Sequence, residues 1–206
     1  MKNSKPKVRV PRQERSIEKK QLIIDAAIKL FSDTGYENVG PKQIADEAGV
    51  SVGTLYSYFG DKSDLLVEII RTSKKGRVDA ILNRAKEISE YDSNPRSVIY
   101  MMIKGIMNAP ALPPLLLRQS IAMRYTHKEV EAFHRQEEKQ TLALIHRLFG
   151  ILGDAVKVKD RKLAEKMLLL TLKESTRTYT IFRPSIPKER FINELTDMIS
   201  RYLFTE

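Results

Sequence analysis

The sequence predicts an all-α protein, and three observations lead to this fold class. Apolar residues recur three to four positions apart through most of the 206-residue chain, which is the period of a helix with one buried face. Strand signals are weak, because there is no Asn-Gly turn and no sustained alternation of apolar and polar residues. The hydrophobic content of 42% is enough for the core of one or two modest domains.

The first 15 residues are basic and interrupted by Pro6 and Pro11, which predicts a flexible arm. Two interpretations of this arm stay open, a contact with an anionic partner or a solubilising tail. Helical periodicity starts behind it and predicts helix one over about 17–33, with Ser16 as its N-cap and Gly35 at its end.

Two short helical segments follow, over 41–48 and 52–59. Pro41 suits the first position of a helix, where its missing N–H is no loss. Gly49 can adopt the left-handed conformation that ends a helix, and Ser51 can cap the next one. Helices this short are not stable alone, so they must pack on a third helix. The pattern predicts a helix-turn-helix over about 40–59.

The remaining chain predicts only helices. A long pattern runs from Lys62 to about Ser89 and is interrupted by Gly76 alone. Further helices are predicted around 98–106, where Pro110 stops the pattern, and at about 114–126, 128–150, 160–182 and 187–204.

The second short segment has the features of a helix that enters a DNA groove. A set of apolar residues is expected to pack the two short helices against helix one. We call it the glue set, and it consists of Ile44, Ala45, Ala48, Val50, Leu55 and Phe59. The opposite face is small and rich in hydroxyls, with Val52, Gly53, Thr54, Ser57 and Tyr58. Such a surface fits the major groove, which is about 12 Å wide, without steric clash. This pattern predicts a recognition helix.

Many spaced positions resemble the DNA-binding domain of the TetR family of regulators, over about residues 16–76. They are Ala26-Ala27, Leu30-Phe31, Gly35-Tyr36, Ile44-Ala45, Ala48-Gly49-Val50-Ser51, Gly53-Thr54-Leu55-Tyr56, Phe59 and Lys62. The resemblance implies an N-terminal three-helix DNA-binding domain and a C-terminal helical bundle for dimerisation and ligand binding. It further implies a transcriptional repressor that a small effector releases from a palindromic operator in double-stranded DNA. The alternatives are a helical ligand-binding module without DNA binding, and a small all-helical enzyme.

The resemblance also implies roles for particular residues. Thr54 and Lys42 are expected to approach base edges or phosphates, while Tyr56, Tyr58 and Lys62 contact the DNA backbone. The full predicted DNA-binding set is Lys42, Ser51, Val52, Gly53, Thr54, Tyr56, Tyr58 and Lys62.

The chain departs from the family pattern in two places. Where the family usually has Thr followed by Ser or Thr, this chain has Val39 and Gly40, so a capping hydroxyl is missing. Val52 stands where a Lys, Arg or Gln is common. An apolar contact with a thymine methyl group is the natural substitute for the lost polar contact.

Beyond about residue 77 the resemblance is limited to organisation, and we assign 77–206 to effector binding and dimerisation. In the last helix, apolar residues cover more than the ~100° stripe that packing on one core requires. We therefore predict a homodimer through residues 160–204, against the alternative of burial within one subunit. Soft and aromatic side chains suggest a ligand pocket, and the predicted lining is Met102, Ile106, Met123, Tyr125, Phe133 and Tyr179.

Composition narrows the remaining classes. The formal net charge of +10 favours an anionic partner such as nucleic acid. The chain has no cysteine, no secretory signal pattern and no apolar run of about 18–20 residues, so we expect a cytoplasmic protein without a membrane span. His127, Glu131 and His134 share a helical spacing, but their charged neighbours favour an ordinary solvated face over a metal site. No catalytic motif is present, and we expect neither enzymatic activity nor a cofactor.

Overall fold

The computed structural model describes residues 12–74, 77–92, 94–109 and 112–205. These residues form α-helices and one short 3-10 turn, and no strand, so the all-α prediction is confirmed. The helices are α1 (Arg12–Thr34), α2 (Pro41–Glu47), α3 (Val52–Tyr58), α4 (Lys62–Lys74), α5 (Arg77–Tyr91), α6 (Pro95–Asn108), α7 (Pro114–Met123), α8 (Lys128–Leu152), α9 (Arg161–Phe182) and α10 (Lys188–Phe204).

The chain divides into two compact units between Ile69 and Ile70, inside α4. The sequence-based boundary lies a few residues later, at 76/77. None of the described helices is both long enough and apolar enough to cross a lipid bilayer.

The first unit has its core between α1 and the helices that follow. Ile23, Ala27 and Phe31 of α1 are fully buried at a spacing of four residues.

Helix α1 begins at Arg12, so it includes residues 12–15 of the predicted arm. Strong helix formers occupy these positions, and they lengthen the helix without adding to the apolar pattern. The rest of the arm, residues 1–11, lies outside the described residues.

The predicted helix from Lys62 to about Ser89 corresponds to α4 and α5. Its continuity stays a prediction, because Lys75 and Gly76 lie outside the described residues.

Helix α7 ends at Met123, three residues before the predicted end. The N–H groups of the next two residues donate to carbonyls three positions back, and this tightens the chain into a turn.

The second unit is a helical bundle with one apolar core. Buried side chains of α5, α6, α8, α9 and α10 form it, with Ile103, Ile192 and Leu203 fully buried. Helices α9 and α10 run antiparallel. The ring of Tyr179 near the end of α9 lies 4.6 Å from the ring of Phe191 at the start of α10, measured between centroids.

Candidate DNA-binding surface

Helix α2 begins at Pro41, as the sequence predicts, and its cap has no hydroxyl. Gly40 is the N-cap and Pro41 occupies the first helical position. The Gly40 N–H donates to Oε1 of Gln43 at 2.7 Å. A glutamine three residues into the helix therefore satisfies the backbone at a position without a capping hydroxyl.

The turn between α2 and α3 confirms two further predictions. Gly49 has a φ of +66°, in the left-handed region that favours glycine. A Cβ added at Gly49 would meet no atom within 4 Å, so the backbone conformation rather than crowding requires glycine there. The Ser51 hydroxyl accepts a hydrogen bond from the Thr54 N–H at 3.1 Å, which caps α3.

The apolar glue set packs as expected. Ile44, Ala45, Leu55 and Phe59 are buried, as is Ala48, while Val50 is half-buried. Burial of a large apolar side chain contributes about 1.5–3 kcal/mol relative to exposure. This packing holds α2 and α3, of seven residues each, in place.

The exposed face of α3 is nearly free of charge. Gly53 is exposed, Thr54 is half-buried, and the side chain of Tyr56 is 49% exposed. The hydroxyls of this helix largely bond within the protein. Thr54 Oγ1 lies 2.9 Å from Ser51 Oγ, and Ser57 Oγ donates to the Thr54 carbonyl at 2.6 Å.

Tyr58 and the half-buried Val52 complete this helix. The Tyr58 hydroxyl lies 3.0 Å from Ser16 Oγ on α1, so it connects α3 to the first helix. Val52 is the first residue of α3 and presents only methyl groups. Contacts by this face with bases would therefore rest mainly on methyl groups and on the close approach at Gly53.

The two lysines of the predicted set differ in their surroundings. Lys42 is exposed on α2. Lys62 is half-buried, and its ammonium donates to the carbonyls of Tyr36 at 2.8 Å and Val39 at 3.1 Å. It also lies 4.1 Å from the centroid of the Tyr36 ring. Lys62 thus ties the start of α4 to the connection between α1 and α2.

Tyr36 is buried beneath this contact. Burial raises the pKa of its hydroxyl, and the nearby carboxylates of Glu37 and Asp61 raise it further. The ring is therefore neutral at physiological pH, and its face is available to the ammonium of Lys62.

We expect Lys62→Met to lower the free energy of unfolding by about 1–2 kcal/mol, because two carbonyls lose a charged donor. Urea unfolding of the purified protein measures the change. Lys42→Met is the matched control, since Lys42 is exposed, and it should change stability by less than about 0.5 kcal/mol. Equal stability of the two variants would contradict the structural role of Lys62.

The predicted phosphate contact of Lys62 is a separate question that the same variant addresses. If the ammonium also neutralises a phosphate, Lys62→Met should reduce the slope of log affinity against log salt by about one. An unchanged slope would confine Lys62 to its structural role.

The predicted ligand residues differ in their surroundings. Met102 and Met123 are buried and Ile106 is half-buried, whereas Tyr125 lies in the turn after α7 and is 82% exposed. Phe133 lies beneath the guanidinium of Arg71, 5.7 Å from ring centroid to Cζ. The Tyr179 hydroxyl donates to the Ile186 carbonyl at 2.8 Å.

Met102 alone of the six lines the groove of about 660 Å³ formed by the end of α4 with α5 and α6. Ile81 and Gly105 also line this groove and were not among the predicted residues. The signal for Gly105 was present, because a glycine inside a predicted helix weakens that helix and calls for a reason.

Comparisons with known proteins agree with this geometry. Residues 23–69 match the family of bacterial regulatory proteins described as the tetR family. An HTH-type transcriptional regulator of Staphylococcus aureus is 29% identical over 185 residues, covering 88% of this chain and 92% of the relative.

Solved structures share the fold over nearly the whole chain. NalD of Pseudomonas aeruginosa, the secondary repressor of a multidrug efflux pump, has a TM-score of 0.71 at 18% identity, over 94% of this chain and 99% of its own. The fatty acid degradation regulator FadR of Bacillus halodurans has a TM-score of 0.70 at 21% identity, over 94% and 97%. The helix-turn-helix of α2 and α3, the family match over residues 23–69 and the curated relatives support a transcriptional regulator of the TetR family, and the solved structures show the same fold.

Proposed function

We propose that this regulator is a homodimeric repressor that binds a palindromic operator through α3 and leaves it when a small effector binds the second unit. The observation that carries the proposal is the α2–α3 pair, with its left-handed turn at Gly49, its cap at Ser51 and its buried glue set. We assign DNA contact to the predicted residues of α2, of α3 and of the turn between them, while the phosphate contact of Lys62 on α4 is tested separately. A cytoplasmic location follows from this role, since the operator DNA lies there.

Helix α4 supports a route between the two activities. It begins at Lys62, which holds the connection between α1 and α2, and its last turns include Thr72 and Ser73, which line the groove of about 660 Å³. A ligand that shifts this end of α4 acts on the helix that also carries Lys62. Linkage then requires that DNA weaken ligand binding by the same factor by which the ligand weakens DNA binding.

The alternative of a ligand-binding module without DNA binding requires a damaged recognition surface. The described surface is intact at its caps, its turn and its packing. The alternative of a small enzyme has no observation in its favour, and the family and its relatives are regulators.

Selection from a random library of duplex DNA tests the proposal. The full chain should enrich an inverted repeat whose half-sites lie about 10 base pairs apart, or a multiple of this spacing, because a two-fold dimer presents its two recognition helices about 34–36 Å apart. The affinity should fall steeply with salt concentration. Uniform recovery of all sequences would overturn sequence-specific binding, and enrichment of a single asymmetric site would overturn the palindrome.

A further inference from the structure

The groove formed by the end of α4, by α5 and by α6 has a mainly apolar lining. Its volume of about 660 Å³ lies in the range of pockets that hold small molecules. The apolar wall includes Ile81 of α5 and Val98, Met101 and Met102 of α6. Two of these are methionines, whose flexible thioethers adapt to ligands of varied shape.

A glycine inside α6 keeps this groove open. Gly105 lies in the last half of α6, where a glycine costs a helix about 1 kcal/mol relative to alanine. Steric crowding does not require glycine at this position, because a Cβ there would lie 4.0 Å from Ile81 Cγ1, an ordinary contact distance. A longer side chain would extend into the groove. The glycine at position 105 therefore leaves the volume of the groove unfilled.

The polar residues of the groove favour one sign of ligand charge. Arg84 on α5 and Lys104 on α6 contribute cations, and Thr72, Ser73 and Asn108 contribute neutral groups. The described lining includes no aspartate, glutamate or aromatic residue. Within this described part of the lining, a cationic ligand would find neither a carboxylate nor an aromatic face to replace its hydration shell.

Both cations have partners that a ligand carboxylate can replace. Arg84 Nη1 bonds Glu87 at 2.8 Å in a pair whose side chains are 60% and 55% exposed, so the pair contributes little. Lys104 donates to the Tyr100 hydroxyl at 2.9 Å and lies 3.6 Å from a Glu189 carboxylate oxygen that is itself exposed. Glu87 and Glu189 are not among the residues that line the groove.

We infer that this groove is the effector site and that its effector is a small amphipathic anion, with an apolar body against α5 and α6 and an acidic group near Lys104 or Arg84. The inference rests on the proposed function, since it identifies the ligand class of the regulator's second unit.

Calorimetric titration of the full-length protein with three ten-carbon probes, below their micelle concentrations, tests the ligand class. The probes are decanoate, decan-1-ol and decyltrimethylammonium, which share a chain and differ in head-group charge. Decanoate should bind about tenfold or more tightly than the ammonium compound. Its carboxylate can accept a charge-assisted hydrogen bond from Lys104 or Arg84, whereas the charge of the ammonium compound would have no partner in the groove. Equal affinities, tighter binding of the cation, or no binding of decanoate would overturn the inference.

Three variants locate the site. Gly105→Leu should weaken decanoate binding about tenfold or more by filling the groove. Gly150→Leu is the matched control, because Gly150 is also a helical glycine, on α8, with open space at its Cβ, and it should retain affinity within about twofold. Lys104→Gln should weaken decanoate binding and leave decan-1-ol binding unchanged. Wild-type affinity of Gly105→Leu, or equal losses in both glycine variants, would overturn the site.

DNA binding, measured separately on the selected duplex without probe, keeps the two proposals apart. Specific DNA binding together with failed probe binding overturns the ligand inference and leaves the repressor intact. Decanoate binding without specific DNA binding supports the groove and overturns the repressor.

Discussion

Gly53→Leu is expected to reduce operator affinity by about 100-fold or more without lowering the stability of the free protein. Gly53 lies in the first turn of α3 and is exposed. A Cβ placed there would meet nothing closer than Ser51 Oγ at 3.8 Å, so the fold accepts a side chain. A glycine in a helix costs up to about 1 kcal/mol relative to alanine, and this protein gains no internal contact in return. We infer that the bare backbone allows α3 to approach DNA closely.

The size of the new side chain should grade the effect. Gly53→Ala should weaken the operator complex about tenfold, since a single methyl group forces a small displacement, and Gly53→Leu should weaken it much more. Fluorescence anisotropy with the selected duplex measures affinity, and thermal unfolding measures stability. Gly150→Leu is again the matched control, with wild-type affinity for DNA. Full operator affinity of Gly53→Leu would show that DNA does not approach this position.

The first unit could be predicted from the sequence because its signals are local. Gly49, Ser51 and Pro41 each have a backbone role that a short stretch of chain determines, and the structure confirms all three. The position of the Lys62 ammonium was not predictable in this way. Its partners lie 23 and 26 residues away in the sequence, and a lysine at a helix start is equally compatible with a solvated phosphate contact.

The groove of the second unit shows what composition alone cannot predict. Composition indicates which side chains are soft or aromatic, but the helix packing decides which of them share a cavity. Met102 lines the groove, whereas Tyr125 lies in an exposed turn and Tyr179 packs on Phe191. Small residues also help to form a pocket, because they leave space unfilled. A search for large or aromatic side chains therefore overlooks Gly105.

The apolar face of the last two helices divides into an inward and an outward stripe. Leu168 and Leu172 of α9 are buried in the core, as are Ile192, Leu195, Ile199 and Leu203 of α10. The outward stripe consists of Leu163, Met167 and Leu170 of α9 with Met198 and Tyr202 of α10, each about half exposed. In the sequence alone, the two stripes merge into one wide apolar face.

The two halves of the outward stripe lie side by side. Leu163 and Tyr202 line the same shallow groove of about 440 Å³, beside Lys157 and Lys159. Large contiguous apolar patches are rare on the surface of monomers. A second copy of the chain offers the same stripe, and we expect the two antiparallel helix pairs to form a four-helix interface around a two-fold axis.

The double substitution Leu170→Glu with Met198→Glu is therefore expected to produce a monomer and to reduce operator affinity by about 100-fold or more. Burying a carboxylate in an apolar interface carries a large desolvation cost, and both residues would occur twice across a two-fold axis. A monomer contacts one half-site and loses the high effective concentration that links the second contact to the first, which contributes about 10²–10⁴ in affinity. Light scattering should show 23.7 kDa for the variant and twice that mass for the wild type.

The control introduces a single glutamate at an exposed apolar position outside the stripes. Leu115 on α7 is 39% exposed and belongs to neither stripe, so Leu115→Glu should remain dimeric with wild-type operator affinity. Circular dichroism should show that the double variant keeps its helices, since the core-facing residues of α9 and α10 are unchanged. A folded double variant that stays dimeric would place the interface elsewhere. A monomer that keeps full operator affinity would show that DNA binding does not depend on the two-fold pairing of α3. That result would overturn the proposal that a dimer binds a palindromic operator.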